Sequence, residues 1–210
     1  MPRIHGGSLE QHRLLVRERI FATFSRLLYE RGYDAITLAD VATGAGMSRT
    51  AMYNHFKDKN ELVIAFAEDE TDRYVADLEK ALETVDNPVD QLRVYVRNQF
   101  AYCATHHLPP GPALKALLAE PAYQRVLDHV GALERTLQRI LEAAVAEGYV
   151  TTEDLESTMS LVTACVNLPT TRRSGDDLQA MTAAAESFVL SGLGVRLDGA
   201  GRPRRQRRKA

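Results

Sequence analysis

Seven hydrogen-bonding side chains fall within eleven residues: Arg49, Thr50, Tyr53, Asn54, His55, Lys57 and Lys59. Arg, Asn and Thr are side chains that read base edges in the major groove of DNA, while Tyr, His and Lys hold phosphates. A polar helix face by itself is more often a solvated one, so the set gains meaning only from the elements that would present it. Thr37 and Ser48, both placed to open helices, complete the candidate DNA-contact set.

Those elements are legible in the flanking residues. Thr37 can cap a helix whose third position is Asp40, and Leu38, Val41, Ala42 and Ala45 recur on one face of it. Gly46 stands where the chain must swing sharply, a position that favours positive φ. Ser48 caps a second helix, Arg49 to Phe56, in which Met52 and Phe56 lie four apart and share an inner face. Two short helices about a glycine turn are the helix-turn-helix signature. Ahead of them, Ile20, Phe21, Phe24, Leu27 and Leu28 give a helix from Ser8 to Arg31 one apolar stripe, and Gly32 stops it. Behind them, Asp58 with Glu61 opens a long helix, Lys59 to Val85, that ends at Asn87-Pro88.

The run RERIFATFSRLLYERGYDAITLADVATGAGMSRTAMYNHFKDKNEL resembles the DNA-binding domain of TetR-family transcriptional regulators. The elements that carry the resemblance are the amphipathic first helix, the GYD turn, T-x-x-D-V-A, G-M-S, Y-N-H-F and K-D-K. It implies an all-α chain, with an N-terminal three-helix helix-turn-helix domain (residues 1–58) and a C-terminal helical bundle (59–198). The bundle would bind an effector and form a homodimer, and the long helix from Lys59 would connect the two parts. The function implied is a homodimeric repressor, released from a palindromic double-stranded operator by a small, largely apolar effector. The rival reading is a helical small-molecule-binding protein or enzyme in which the helix-turn-helix is incidental.

Charge agrees with a polyanion partner once it is divided along the chain. The net charge is −2, but residues 1–66 carry nine Lys/Arg against seven Asp/Glu, and residues 67–198 carry eleven against twenty-one. Residues 199–210 carry six basic residues and no acid. Basic ends on an acidic body orient a molecule on a polyanion. The last segment, GAGRPRRQRRKA, holds nothing apolar enough to anchor it and reads as a disordered basic tail. No run reaches the ~18 apolar residues of a membrane span, and two cysteines make no disulfide framework. These features point to a soluble cytoplasmic protein with no membrane association.

Beyond Pro88 the apolar period predicts helices over Val89–His107, Ala113–Ala119, Pro121–Glu147, Thr151–Pro169 and Asp176–Gly192, with Thr151 as the cap of the fourth. Among their apolar residues stand Tyr95, Gln99, Tyr102, His106, Tyr123, His129, Thr163 and Asn167. An apolar pocket needs a few such groups to orient a ligand, and with the resemblance they are the candidate effector-binding set. The last two helices carry Leu155, Met159, Val162, Val166, Met181, Ala185 and Phe188, the candidate dimer interface that the resemblance implies. The plainer reading is that these residues close the core of one protomer. Cys103 and His107 have metal-compatible spacing but no third ligand in view, and no nucleophile motif or Gly-rich phosphate loop is present. Neither catalysis nor a cofactor or metal is expected.

Overall fold

Local signals fix most of the helix starts. The computed structural model describes residues 6–105, 120–167 and 175–206, together with Lys115 and Leu118. Among the described residues there are eight helices: α1 (Gly6–Arg31), α2 (Leu38–Gly44), α3 (Arg49–Tyr53), α4 (Lys59–Leu82), α5 (Pro88–Thr105), α6 (Glu120–Ala146), α7 (Leu155–Val166) and α8 (Gly175–Gly192). A two-residue antiparallel ladder, β1 (Arg196–Leu197) with β2 (Pro203–Arg204), follows them. The architecture is all-α, and among the described residues no helix is long and apolar enough to cross a membrane.

The chain forms two compact units. The first contains the described residues up to Asp69, with Lys115, Leu118 and Glu120–Val126; the second contains those from Glu70 through α5, and from Leu127 onward. The division falls inside α4, after Asp69. The first unit packs α1, α2, α3 and the start of α4 around Ile20, Phe24, Ile36, Val41, Met52 and Leu62, all essentially inaccessible to water. Phe66 receives the edges of Phe21 and Phe24, with ring centroids 5.6 and 5.3 Å away. Gly44 allows α1 and α2 to touch closely, since a Cβ there would sit 2.6 Å from Thr23 Cγ2.

The second unit has its own apolar core, which includes Leu78, Leu92, Val96, Phe100, Leu137, Ile140, Leu141, Val162, Val166 and Val189. Glu79 accepts from the Thr136 hydroxyl at 2.6 Å and takes both oxygens to Arg139, so the partly exposed edge between α4 and α6 is an ion pair rather than a gap. The cap of α7 differs from expectation. Asp154, not Thr151, accepts from the Ser157 N–H at 3.0 Å, since the helix begins at Leu155; the Thr151 hydroxyl donates to Gln206 instead.

Gln206 also explains why residues 199–206 of the segment expected to be disordered are ordered. Its backbone N–H donates to Gly148 O at 2.7 Å and its side-chain amide to Gly194 O and Tyr149 O at 2.9 and 3.2 Å. The hydroxyl of Thr151 donates to its Oε1 at 3.1 Å. Anchoring therefore comes from hydrogen bonds to main-chain carbonyls and a hydroxyl, which the segment's lack of apolar residues does not forbid. The segments holding the Ala113–Ala119 helix, His106, His107 and the Thr170–Gly175 loop lie largely outside the described residues, as does Arg207 to Ala210.

Candidate nucleic-acid interface

The interface is built by three caps and one glycine. Thr37 opens α2 as a capping box: its side chain accepts from the Asp40 N–H at 3.2 Å and Asp40 accepts from the Thr37 N–H at 2.9 Å. Those hydrogen bonds from Thr37 hold the Asp40 carboxyl below its ordinary range, with Arg31 and Arg49 adding a smaller pull. With the folded value depressed, the box contributes at neutral pH and is lost as pH falls through that value. At the end of α2, Gly46 adopts φ +68°. Met47 N–H then returns to Ala42 O at 2.9 Å and Gly46 N–H to Thr43 O at 3.2 Å, a Schellman closure that needs a left-handed residue at Gly46. Ser48 opens α3 by accepting from the Ala51 N–H at 3.1 Å.

Helix α3 is shorter than the sequence suggested, ending at Tyr53 with Asn54 as its cap. Its inner anchors are as expected: Met52 is fully buried and Phe56, just beyond, nearly so. Arg49, Thr50, Tyr53, Asn54, His55 and Lys57 are all exposed, as are Thr37 and Ser48. One buried methionine thus turns a five-residue helix so that its polar residues face water together, with Tyr53 57% exposed despite its ring.

Lys59 departs from the set. Its ammonium donates to Tyr33 O and Ile36 O, both at 3.0 Å, and lies 4.0 Å from the centre of the Tyr33 ring. Two of its three donors are spent inside the first unit, so it braces the GYD turn against the start of α4 in place of the phosphate contact expected of it. Tyr33 completes the brace by donating to Asn60 Oδ1 at 2.8 Å, and burial, with Asp34 and Asp58 nearby, keeps its hydroxyl protonated. Lys59→Ala should therefore lower stability by about 1–3 kcal/mol and leave the salt dependence of DNA binding unchanged. Lys57→Ala, at an exposed side chain, should do the reverse and reduce the salt slope by about 0.9. Thermal unfolding and a salt titration of both variants check this.

The effector candidates divide between the two units. In the second, Tyr74 donates to Gln99 Oε1 at 2.7 Å and Gln99 Nε2 donates to Asn167 Oδ1 at 3.0 Å, a polar line running from two buried residues to an exposed one. The Tyr102 ring lies 4.4 Å from that of Tyr74, Tyr95 is buried, and Thr163 is half-buried one turn before Asn167. Burial raises the hydroxyls of Tyr74 and Tyr102, and that of Tyr95 to about 12, so all three are neutral donors. Tyr74, absent from the candidate set, carries the strongest bond of this line. Tyr123 falls in the first unit, where the Lys115 ammonium lies 5.7 Å from its ring, and His106 lies outside the described residues. Cys103 is a free thiol raised by burial. Among the described residues no three His, Cys, Asp or Glu side chains gather as a metal site, and His107 is not described.

The dimer candidates follow the plainer reading in all but one case. Val162, Val166 and Ala185 are buried in the core of the second unit, and Leu155, Met159 and Met181 pack against it. Only Phe188 stands out, 67% exposed, and it is joined by Leu161 at 69%, which the sequence stripe had missed. Both line an open apolar groove of 710 Å³ across α7 and α8, with Thr158, Cys165, Gly192 and Leu193.

Residues 20–66 match the family described as bacterial regulatory proteins, tetR family. The HTH-type transcriptional activator FasR of Mycolicibacterium smegmatis is 31% identical over 100 residues, 46% of either chain. The HTH-type transcriptional repressor KstR2 of Mycobacterium tuberculosis is 24% identical over 136 residues, 63% of this chain and 68% of that one. Among solved structures, the regulator FadR of Bacillus subtilis in complex with stearoyl-CoA superposes with a TM-score of 0.71 at 16% identity, covering 83% of this chain and 98% of that one. The match to that family covers residues 20–66, within the first unit, and the chain as a whole shares the all-α fold of these solved regulators. In the FasR match it spans less than half of that relative's length.

Proposed function

We propose that the protein is a homodimeric transcriptional repressor that binds a palindromic operator through α3 and leaves it when a small, largely apolar molecule binds the second unit. The observation that carries this reading is the outward polar face of α3, held by Met52 beneath it. Arg49, Thr50, Tyr53 and Asn54 are assigned to base edges and the groove; Thr37, Ser48, His55 and Lys57 are assigned to phosphates and positioning. One five-residue helix makes few contacts, and a two-fold dimer doubles them on a palindrome. Leu161 and Phe188 are the exposed apolar residues that a second copy would cover.

The effector site is assigned to the polar line Tyr74–Gln99–Asn167, with Tyr95, Tyr102 and Thr163 beside it. A neutral polar line leading from an apolar core to the exposed Asn167 suits a ligand with a long hydrocarbon body and few polar groups. The names of the relatives, a stearoyl-CoA complex and a ketosteroid regulator, point to the same ligand chemistry. Five residues separate the end of α3 from the start of α4, and α4 continues past Asp69 into the second unit, so it is the element through which ligand occupancy would reach DNA affinity. The ligand shifts this balance only by binding the two states unequally. Release from the operator, rather than recruitment to it, makes the protein a repressor, as KstR2 is described.

Retention of fragments of its own genome at about physiological salt, where exposed charges are largely screened, tests the reading. The full chain is expected to hold a few fragments against competitor DNA, and Phe188→Asp, as a monomer by sedimentation, to hold none. Equal retention of every fragment would leave only charge attraction and remove the operator from the account.

A further inference from the structure

Arg196 and Arg204 stand directly opposite one another in the ladder of β1 and β2, and both are exposed. Opposed residues of an antiparallel pair share one face with Cβ atoms about 5 Å apart, and like charges placed so repel. The other hairpin arginines are neutralised. Arg202 reaches Asp198 at 3.0 Å and Arg205 reaches Glu147 at 3.3 Å. Arg196 and Arg204 have no ion-pair partner among the described residues.

The surrounding contacts keep this repulsive pair in place. Asp198 accepts from the backbone N–H groups of Ala200 and Arg202, at 2.8 and 2.9 Å, which closes the turn. Arg93 donates to Gly201 O at 3.0 Å, and Gln206 pins the outgoing strand to Gly148, Tyr149, Thr151 and Gly194. Val195 packs on the core and Leu197 lines the groove between α5 and α8, so alternation turns Arg196 the other way, and Arg204 with it. Arg207, Arg208 and Lys209 follow in the sequence.

Two guanidinium groups side by side without a carboxylate form a receptor for phosphate oxygens, which they bind through paired N–H donors. We propose that the Arg196–Arg204 hairpin is a second DNA-binding site, gripping the phosphate backbone of a duplex without reading its sequence. The ladder's other pair is Leu197 and Pro203, so no second hydrogen-bonding side chain stands beside the arginines to extend a base-edge contact into a sequence, and phosphate oxygens are the acceptors assigned to them. Stable attachment to a membrane would require an apolar insertion as well as basic charge, and the pair's face offers only arginine. The proposal stands apart from the role of α3, since no residue is shared.

Binding of a random-sequence duplex by the full chain, followed by fluorescence anisotropy between about 50 and 200 mM salt, tests it. The double variant Arg196→Gln/Arg204→Gln is expected to bind more weakly, with a salt slope reduced by about 1.8 per protomer that touches the duplex, two contacts at about 0.9 each. Arg204→Glu, which sets a carboxylate opposite Arg196, is expected to raise the thermal midpoint while duplex binding falls, a pair of opposite signs that folding damage cannot produce. Arg49→Ala separates the two sites: the slope must still fall on removal of Arg196 and Arg204 in that background, even if Arg49 itself proves irrelevant to DNA. An unchanged slope in a folded double variant would overturn the proposal. So would loss of binding to vesicles rich in phosphatidylserine with duplex binding intact, which would assign the pair to lipid.

Discussion

Truncation of Phe24 to alanine is expected to destabilise the first unit by about 3–5 kcal/mol and to remove DNA retention without touching a DNA-facing residue. Phe24 is fully buried, and its ring meets that of Phe66 edge to face at 89°. No neighbour can refill the space cheaply, because Phe21 already holds another edge of Phe66 and Ile20 and Met52 have no exposed surface to give up. Domains of this size are stable by only about 5–15 kcal/mol, so the loss is a large share of what holds α2 and α3 in position. The protein has no tryptophan, so far-UV circular dichroism in urea is the suitable probe. A loss below about 1 kcal/mol would mean that α1 is not packed as described.

Arg49→Ala acts by the opposite route. Arg49 is the first residue of α3 and is exposed, so its removal should leave stability unchanged. If its guanidinium makes a bidentate contact with a guanine edge, each half-site loses about 1–3 kcal/mol, and a dimer loses this twice. Discrimination between bases at one symmetric pair of positions should relax, while the salt slope holds. An unaltered base preference would take Arg49 out of the reading set and leave Asn54 and Thr50 as the remaining base readers. The two variants together separate folding from recognition: one should lower stability and binding, the other binding alone.

What could be read beforehand was what short-range chemistry decides. The caps at Thr37 and Ser48, the left-handed Gly46 and the buried pair Met52 and Phe56 each depend on residues within five positions, and each is where the sequence placed it. The end of α3 was less legible. The apolar spacing continues to Phe56, but the helix stops at Tyr53 and Phe56 is buried from beyond it. Lys59 looked like one more cation beside Lys57; only the fold brings Tyr33 and Ile36, more than twenty residues earlier, under its ammonium.

Long-range partners account for the other differences. Thr151 and Asp154 are both good helix caps; Asp154 takes the role, and the Thr151 hydroxyl instead donates to a residue more than fifty positions away. The stripe through Val162, Val166 and Ala185 was the strongest apolar signal of the last two helices, and for that reason it is spent on the protomer's own core. The outer face has single large residues, Leu161 and Phe188, among small ones, a signal too sparse for periodicity to pick out. Composition made the C-terminal segment look unstructured because it counts apolar anchors and not carbonyl groups awaiting a donor such as Gln206.

A footprint of the 210-residue chain on a DNA fragment it retains, run beside Arg49→Ala, reads the operator itself. The account predicts two protected half-sites of inverted sequence with centres one helical turn, about 34–36 Å, or a multiple of it apart, and their loss in the variant at the same salt. Protection spread evenly along the fragment, and unaffected by Arg49→Ala, would contradict it.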